Sequence, residues 1–156
     1  MNAIQLLRQQ HAEVQSLFRR LRALDGDDPD EGEQLFAELA DQLAAHSEVE
    51  ERLFYPTVRL RALDTLLRHA VEDHLEAKHL LAELLEDADG GDFATRVREL
   101  EKVVLQHVHE EERKLLPRAR VLFSHAELEA MGEEMEDLFL SLVERAPRYE
   151  LPAQLA

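Results

Sequence analysis

The sequence predicts an all-α fold: an up-down-up-down antiparallel four-helix bundle with an additional C-terminal helix. Residues that favour helices, mainly Ala, Leu, Glu and Arg, dominate the 156-residue chain, whereas Gly and Pro occur five times each. Apolar residues recur with helical spacing in four long stretches and one shorter stretch. Turn-forming sequences rich in Asp and Gly separate the long stretches at 25–32 and 87–92. Because the connections are short, successive helices are expected to pack antiparallel.

Five helices follow from these boundaries. They are predicted over about residues 2–24, 32–58, 62–87, 93–121 and 125–145. We expect a single domain, in which residues 1–122 form the bundle and residues 123–156 form a C-terminal helix and tail packed on it. The last helix carries an apolar stripe formed by Leu128, Met131, Met135, Leu138 and Leu142. This stripe either packs on the bundle or forms a dimer contact, so the chain is expected to be a monomer or a homodimer.

Individual residues mark further helix boundaries. Ser124 with Glu127 predicts a capping box at the start of the fifth helix. Pro56 and Pro117 are expected to kink or end the second and fourth helices, because proline lacks the backbone N–H and crowds the preceding turn.

Charge and composition restrict the function. The chain has 18 Lys and Arg against 34 Asp and Glu, a net charge of −16. Such a chain repels phosphates and anionic lipids, so we expect neither nucleic acid nor a membrane as a partner, and a cation fits better. There is no Cys and therefore no thiolate chemistry. The apolar runs are short and the first residues do not resemble a secretory signal, so we expect a cytoplasmic protein.

Four of the eight His lie on helix faces that are predicted to be buried. At about 100° per residue, His46 shares the face of Leu39 and Leu43, and Glu50 lies about 40° away. The same reasoning places two Glu and four His in the core: His11, His46, Glu50, His74, His107 and Glu111. The remaining four are expected at the surface: His69, His79, His109 and His125.

The predicted core His also share one level of the bundle. His11 lies about 13 residues before the end of its helix, and the other three lie about 12–14 residues from the helix ends that adjoin them, which places the four imidazoles in a single layer. A buried Glu is costly unless it is paired or bound to a metal, and two buried Glu in one layer repel each other. Two metal ions remove both problems, and carboxylates with imidazoles in a helix bundle suit iron or manganese. A single buried His, by contrast, is usually a hydrogen-bonded core residue.

Two stretches repeat the same arrangement. HSEVEERLFYP at 46–56 and HVHEEERKLLP at 107–117 align without a gap, and each places a His four residues before a Glu. With His11 in RQQHAEVQSLF and His74 in VEDHLEAKHLLAEL, they resemble the hemerythrin-like, or HHE cation-binding, family. The resemblance implies a four-helix bundle with an oxo- or hydroxo-bridged non-heme di-iron centre, for which manganese or zinc could substitute. It carries over His11, His46, Glu50, His74, His107 and Glu111 as the metal ligands, with Glu50 and Glu111 as bridging carboxylates.

The sequence departs from the oxygen-carrying members at two positions. Those members have a further His one turn after the third-helix His, where this chain has Lys78. Their last carboxylate is an Asp after a four-residue gap, whereas Glu111 here follows His107 after three residues. Four His instead of five imply an additional open or water-filled position. This favours a site that reacts with a diatomic or peroxide ligand (oxygen, hydrogen peroxide or nitric oxide), catalase-like activity included, over a reversible oxygen carrier.

Other residues are candidates to support the ligands. A metal-bound His usually donates its second N–H to a carboxylate or carbonyl, and the candidate acceptors are Glu51, Glu112, Asp73 and Tyr55. The alternative for Glu51 and Glu112 is an exposed helix acid. Lys78 either approaches the site or extends to solvent.

Two other functions remain open. The first is iron handling, either storage or donation of iron for iron–sulfur cluster repair, as in related di-iron repair proteins. The second is a helical interaction module without metal. Iron loading followed by addition of peroxide separates these functions from a di-iron oxidant site.

Overall fold

The structure, a computed structural model, describes residues 1–24, 29–61, 64–86 and 92–151, and all regular structure in these ranges is helical. Helices α1, α3 and α5 span Ala3–Arg22, Asp64–Glu86 and His125–Glu144. Helix α2 consists of Pro29–Val49, a π-helical turn at Glu50–Phe54, and Tyr55–Arg59. Helix α4 has the same construction, with Phe93–Glu110, a π-helical turn at Glu111–Leu115, and Leu116–Leu122. A 3₁₀ helix at Pro147–Glu150 follows. The predicted all-α bundle is confirmed.

Two apolar clusters fill the bundle, and a polar layer lies between them. On α1, Ile4 and Leu7 belong to one cluster and Leu17 and Phe18 to the other, with His11 between the two pairs. Helices α2, α3 and α4 also contribute to both clusters. Burial of each large apolar side chain contributes about 1.5–3 kcal/mol to folding, so the clusters stabilise the bundle on both sides of the polar layer.

The N-termini of α1 and α5 are fixed by side-chain caps. The Asn2 carboxamide accepts a hydrogen bond from the Gln5 N–H at 2.9 Å, and Gln5 Oε1 accepts from the Asn2 N–H at 3.0 Å. At α5 the Ser124 hydroxyl accepts from the Glu127 N–H at 3.1 Å, which confirms the predicted N-cap. The reciprocal half of the predicted capping box does not form, and the Glu127 carboxylate instead lies 3.1 Å from Arg61.

The predicted turn at 25–32 is wrong over its second half, because α2 begins at Pro29. Proline is well suited to the first helical position, where its missing N–H costs nothing. Asp30 and Glu31 follow in the first turn, where their charge interacts favourably with the helix dipole. Residues 25–28 and 87–91 of the two predicted turns lie outside the described residues.

Neither Pro56 nor Pro117 ends its helix, contrary to one of the two expected outcomes. Helix α2 continues to Arg59 and α4 continues to Leu122. Each proline follows a π-helical turn, whose wider hydrogen bonding runs from the Tyr55 N–H to the Glu50 carbonyl and from the Leu116 N–H to the Glu111 carbonyl. Each proline, which has no N–H, therefore lies where the hydrogen bonding of the helix changes from the π to the α pattern.

Helix α5 packs along α1 and α2. Leu128, Met135 and Leu142 are buried in the cluster that contains Ile4, and Met131 and Leu138 are partly buried against it. The predicted apolar stripe therefore contacts the bundle. None of the described helices is both long enough and apolar enough to cross a membrane.

The close approach of α5 to the N-terminus depends on Gly132. A methyl group at this position would lie 2.2 Å from the carbonyl oxygen of Met1 and 2.7 Å from the carbonyl carbon of Asn2. Both atoms belong to the backbone, so the clash cannot be relieved by a side-chain rotation. Among the described residues, a methyl group at Gly32 would by contrast meet only Leu24 Cδ1, at 3.4 Å.

We expect Gly132→Ala to lower the free energy of unfolding by about 1–3 kcal/mol, because the methyl group forces α5 away from α1. The matched control Gly32→Ala should be neutral or stabilising by about 0.5–1 kcal/mol, since alanine favours a helix. Urea denaturation followed by circular dichroism measures both. Equal stability of Gly132→Ala and the unsubstituted protein would contradict the described contact.

Candidate metal centre

All six predicted ligands are buried in the polar layer, and Glu50 is completely inaccessible to solvent. The ring centroids of His11 and His46 are 4.9 Å apart, and those of His46 and His74 are 6.4 Å apart. The His74 and His107 centroids are separated by 4.6 Å. The four imidazoles thus lie in one layer, as the helix offsets predicted.

The Glu50 carboxylate lies at the centre of this layer. Its Oε1 is 2.9 Å from His46 Nε2 and 3.1 Å from His74 Nε2. The same oxygen is 3.9 Å from His107 Nε2. One carboxylate oxygen therefore faces imidazoles from three helices.

Glu111 occupies the equivalent place on α4. Its Oε1 lies 3.4 Å from His11 Nε2, and its Oε2 lies 3.2 Å from His107 Nε2. The donor atoms form two groups, one of His11, His46, Glu50 and Glu111, and one of Glu50, His74 and His107, with all atoms of a group within 4.8 Å of one another. Glu50 belongs to both groups, which is the arrangement that a bridging carboxylate between two cations requires.

The outer nitrogen of every imidazole has an oxygen acceptor. The Nδ1 atoms pair with Glu112 at 3.1 Å (His11), Gln10 at 2.7 Å (His46), Glu51 at 3.0 Å (His74) and Asp73 at 3.3 Å (His107). Carboxylate and amide oxygens only accept, so each Nδ1 carries hydrogen and donates. In a neutral imidazole this leaves the lone pair on Nε2, and all four Nε2 atoms face the two Glu.

The predicted hydrogen bonds to the outer His nitrogens are present for Glu51, Glu112 and Asp73, so the alternative of a free surface acid is wrong for the first two. The sequence reasoning missed Gln10, which is buried and accepts from His46. A signal was present, because Gln10 interrupts the buried stripe of α1 between Leu7 and Val14. A polar side chain at such a position is expected to have a buried partner.

Tyr55 contacts a carboxylate instead of the expected His N–H. Its hydroxyl donates to Glu111 Oε2 at 2.7 Å and lies 3.4 Å from His74 Nε2. Burial and the negative charges of Glu111 and Glu50 raise the pKa of Tyr55 well above its usual value. Tyr55 therefore stays protonated and serves as a hydrogen-bond donor within the site.

Lys78 approaches the site but reaches only its outer edge. The ammonium Nζ lies 3.1 Å from Glu51 Oε2, and the side chain is largely buried. Glu51 therefore interacts with both Lys78 and His74. The four His predicted at the surface are all exposed.

Several buried polar atoms in this layer have no hydrogen-bond partner within the described part of the chain. They are Nε2 of Gln10, His11 and His46, both carboxylate oxygens of Glu50, and Oε1 of Glu111. Leaving a polar group buried and unpaired costs about 1–3 kcal/mol, and more for a charged group. All but the Gln10 nitrogen face inward and are donor atoms for metal ions, so the residues present fit a cation pair.

Without a metal, protons take up part of this electrostatic strain. Burial lowers the pKa of His11, but its contacts with Glu111 and Glu112 outweigh burial and raise the pKa to about 9. At His46 burial prevails and the pKa is lowered. The Glu50 carboxyl loses hydration on burial, yet the surrounding His, above all His46, hold its pKa well below the usual value. Glu50 therefore remains an anion that needs a positive partner.

A small cavity adjoins the four His. Its volume is about 20 Å³, and apolar side chains of Val14, Leu43, Leu81 and Val104 form much of its wall. A cavity of this size holds one water molecule or one ligand of a few atoms.

The prediction, made from net charge, that nucleic acid is not a partner is wrong. The chain is 29% identical over 137 residues to a protein of a Nostoc species that is named DNA nickase. The match covers 87% of this chain but 38% of that protein, so the chain spans about two fifths of the relative's length. Net charge is a sum over the whole chain, and it does not describe how charge is distributed over the surface.

A solved structure and a family profile also match most of the chain. The crystal structure of a hemerythrin HHE cation-binding domain-containing protein from Mycobacterium kansasii superposes with a TM-score of 0.83 at 26% identity. The superposition covers 100% of this chain and 95% of that one. The sequence profile of the hemerythrin HHE cation-binding domain matches residues 2–119. The chain therefore belongs to the hemerythrin HHE cation-binding domain family.

Proposed function

We propose that the polar layer binds two iron ions and that the protein binds or reacts with a small oxidant, namely oxygen, hydrogen peroxide or nitric oxide. The ligands in this proposal are His11, His46, Glu50, His74, His107 and Glu111. The observation that carries it is the convergence of four imidazole Nε2 atoms on two buried carboxylates. Imidazole with carboxylate in a helix bundle is the donor set of di-iron and di-manganese centres.

The surrounding residues prepare the site for a metal pair. Two Glu anions offset half of the charge of two divalent cations, and their shared position between the His groups suits a bridge. The four outer acceptors orient the imidazoles and increase their basicity, which strengthens metal binding. An iron pair, when bound, supplies open coordination positions and electrons for a small ligand.

The reaction partner is restricted by size and by proton supply. The adjoining cavity of about 20 Å³ accommodates a diatomic molecule or a peroxide but excludes a larger organic substrate. Tyr55 holds a proton on its hydroxyl 2.7 Å from Glu111 Oε2, within the same layer. Lys78 is paired with Glu51 and stands where a fifth His would be needed for an oxygen carrier. These features favour a reactive site over reversible carriage.

The first prediction concerns metal content. After anaerobic loading with ferrous iron and removal of the excess, the protein should retain about two irons per chain and melt at a higher temperature. His107→Ala removes a ligand and should weaken iron binding by at least about 100-fold. The control is His109→Ala on the same helix, because His109 is exposed and contacts Arg113. Equal iron content in the two variants would contradict the assignment.

The second prediction concerns pH. With a pKa of about 9, His11 is protonated in the metal-free protein at neutral pH, so an entering metal must displace this proton. The apparent affinity for ferrous iron should therefore rise with pH, by about tenfold per unit for each proton displaced, until the pH reaches about 9. Competition with a chromophoric chelator at several pH values measures it. An affinity that does not change with pH would show that no protonated ligand is displaced.

The stability of the metal-free protein should change with pH in the opposite direction to its affinity for iron. Because folding raises the pKa of His11 from 6.5, this residue stabilises the fold fully below pH 6.5, and the stabilisation is lost as pH rises to about 9. The lowered pKa of His46 reduces the stability of the fold only below pH 6.5, so it does not affect the range between pH 6.5 and about 9. Melting temperatures of the metal-free chain should therefore fall between pH 6.5 and about 9.

The third prediction separates oxidant chemistry from iron handling. Protein loaded with ferrous iron and mixed with oxygen, hydrogen peroxide or nitric oxide in a stopped-flow spectrometer should develop visible absorption bands while the iron stays bound. His109→Ala should behave like the unsubstituted protein, and His107→Ala should not. Oxygen release after peroxide addition identifies catalase-like turnover. Loss of iron to an acceptor without any reaction with the three ligands would instead favour iron handling.

A further inference from the structure

Basic residues are concentrated at one end of this acidic protein. Residues 52–68 and 113–124 contain four Arg or Lys each, eight of the 18 in the chain, and their only acid is Asp64. The two segments lie at the same end of the bundle, where the Arg61 guanidinium donates to the Leu122 carbonyl at 2.9 Å. We call these eight residues the basic end: Arg52, Arg59, Arg61, Arg68, Arg113, Lys114, Arg118 and Arg120.

All eight side chains are exposed to solvent. Three have acidic partners, since Arg52 lies 3.7 Å from Glu48, Lys114 lies 3.7 Å from Glu110, and Arg61 lies 3.1 Å from Glu127. Four form no ion pair with any part of the chain that the structure describes: Arg59, Arg68, Arg118 and Arg120. The basic end therefore carries positive charge that the protein itself does not neutralise.

A groove between α3 and α4 runs along the basic end. Its volume is about 740 Å³, and Arg113, Lys114, Arg118 and Val121 contribute to its walls. Val121 and Leu60 are 86% and 85% exposed, so apolar contact area is available beside the cations. Cations and exposed apolar side chains thus border one depression, which can accommodate a segment of a polyanion.

Acids at the opposite end of the bundle contribute little to the field at the basic end at physiological salt. Helix α1 alone has 20 residues, which gives a bundle length of about 30 Å. The Debye length at that salt concentration is about 8 Å, so acids at the opposite end are largely screened from a ligand at the basic end.

We propose that the basic end binds the phosphate backbone of nucleic acid, with a strand in the groove contacting Arg113, Lys114 and Arg118. Contacts of this kind read no sequence, and they depend strongly on salt because counterions are released. An anionic bilayer is the weaker fit, since it is flat, whereas these cations continue from the tip of the bundle up the side of α4. The proposal is independent of the metal centre, which lies deeper in the bundle.

The test is fluorescence anisotropy with a labelled single-stranded oligonucleotide and its duplex, for metal-free and iron-loaded protein. Binding at about 50 mM salt should weaken as salt rises. Arg118→Gln combined with Arg120→Gln should reduce affinity at least tenfold and lower the salt slope by about 2. The control combines Arg19→Gln and Arg20→Gln, which removes the same charge from exposed residues in the last turn of α1, at the end of the bundle opposite the basic end. A second test pair, Arg59→Gln with Arg68→Gln, guards against a folding defect, which circular dichroism would reveal.

Three outcomes would overturn the proposal. The first is no binding at low salt, and the second is an equal loss in the test and control variants, which would reflect net charge alone. The third is flotation of the protein with phosphatidylserine vesicles, lost in Leu60→Ser, in a protein that binds no nucleic acid. That result would assign the basic end to membranes. Selective loss in the Arg118 and Arg120 double variant supports the proposal.

Discussion

The structure depends on neutralising two carboxylates that folding removes from water. Glu50 is wholly buried, and Glu111 lies beside it with one unpaired oxygen. The cost of burying such anions exceeds what any single hydrogen bond returns, so a positive partner is required. The chain surrounds both with imidazole nitrogens whose lone pairs also point inward. Carboxylates and lone pairs that face one another repel, and only protons or metal ions between them remove the repulsion.

The bundle is organised around that requirement. Apolar clusters above and below the layer exclude water, and a ring of acceptors outside it orients each imidazole. In α2 and α4 a π-helical turn begins at Glu50 or Glu111 and ends two residues before the proline. Such turns are frequent at functional sites, where they adjust the side chains that follow. Here the turn after Glu50 brings Tyr55 within hydrogen-bond distance of Glu111.

Helical periodicity was sufficient to predict the all-α bundle and the six clustered residues, because His and Glu on otherwise apolar faces must meet inside. The same approach failed where a residue's role depends on a neighbour from another helix. The position of Gln10 on a buried stripe indicates a buried partner but not that this partner is His46. The π-helical turns cannot be distinguished by composition from an α-helix that proline interrupts. Net charge was also misleading, because helix order gathers Arg118, Arg120 and other cations at one end of an acidic chain.

The central claim, that this layer holds a pair of metal ions, is tested most directly by anomalous diffraction at the iron edge from crystals grown after ferrous loading. The account predicts two iron peaks about 3.5–4 Å apart in the polar layer. One should contact His11 and His46, the other His74 and His107, with Glu50 and Glu111 between them. A single peak, or iron located only outside this layer, would contradict the account.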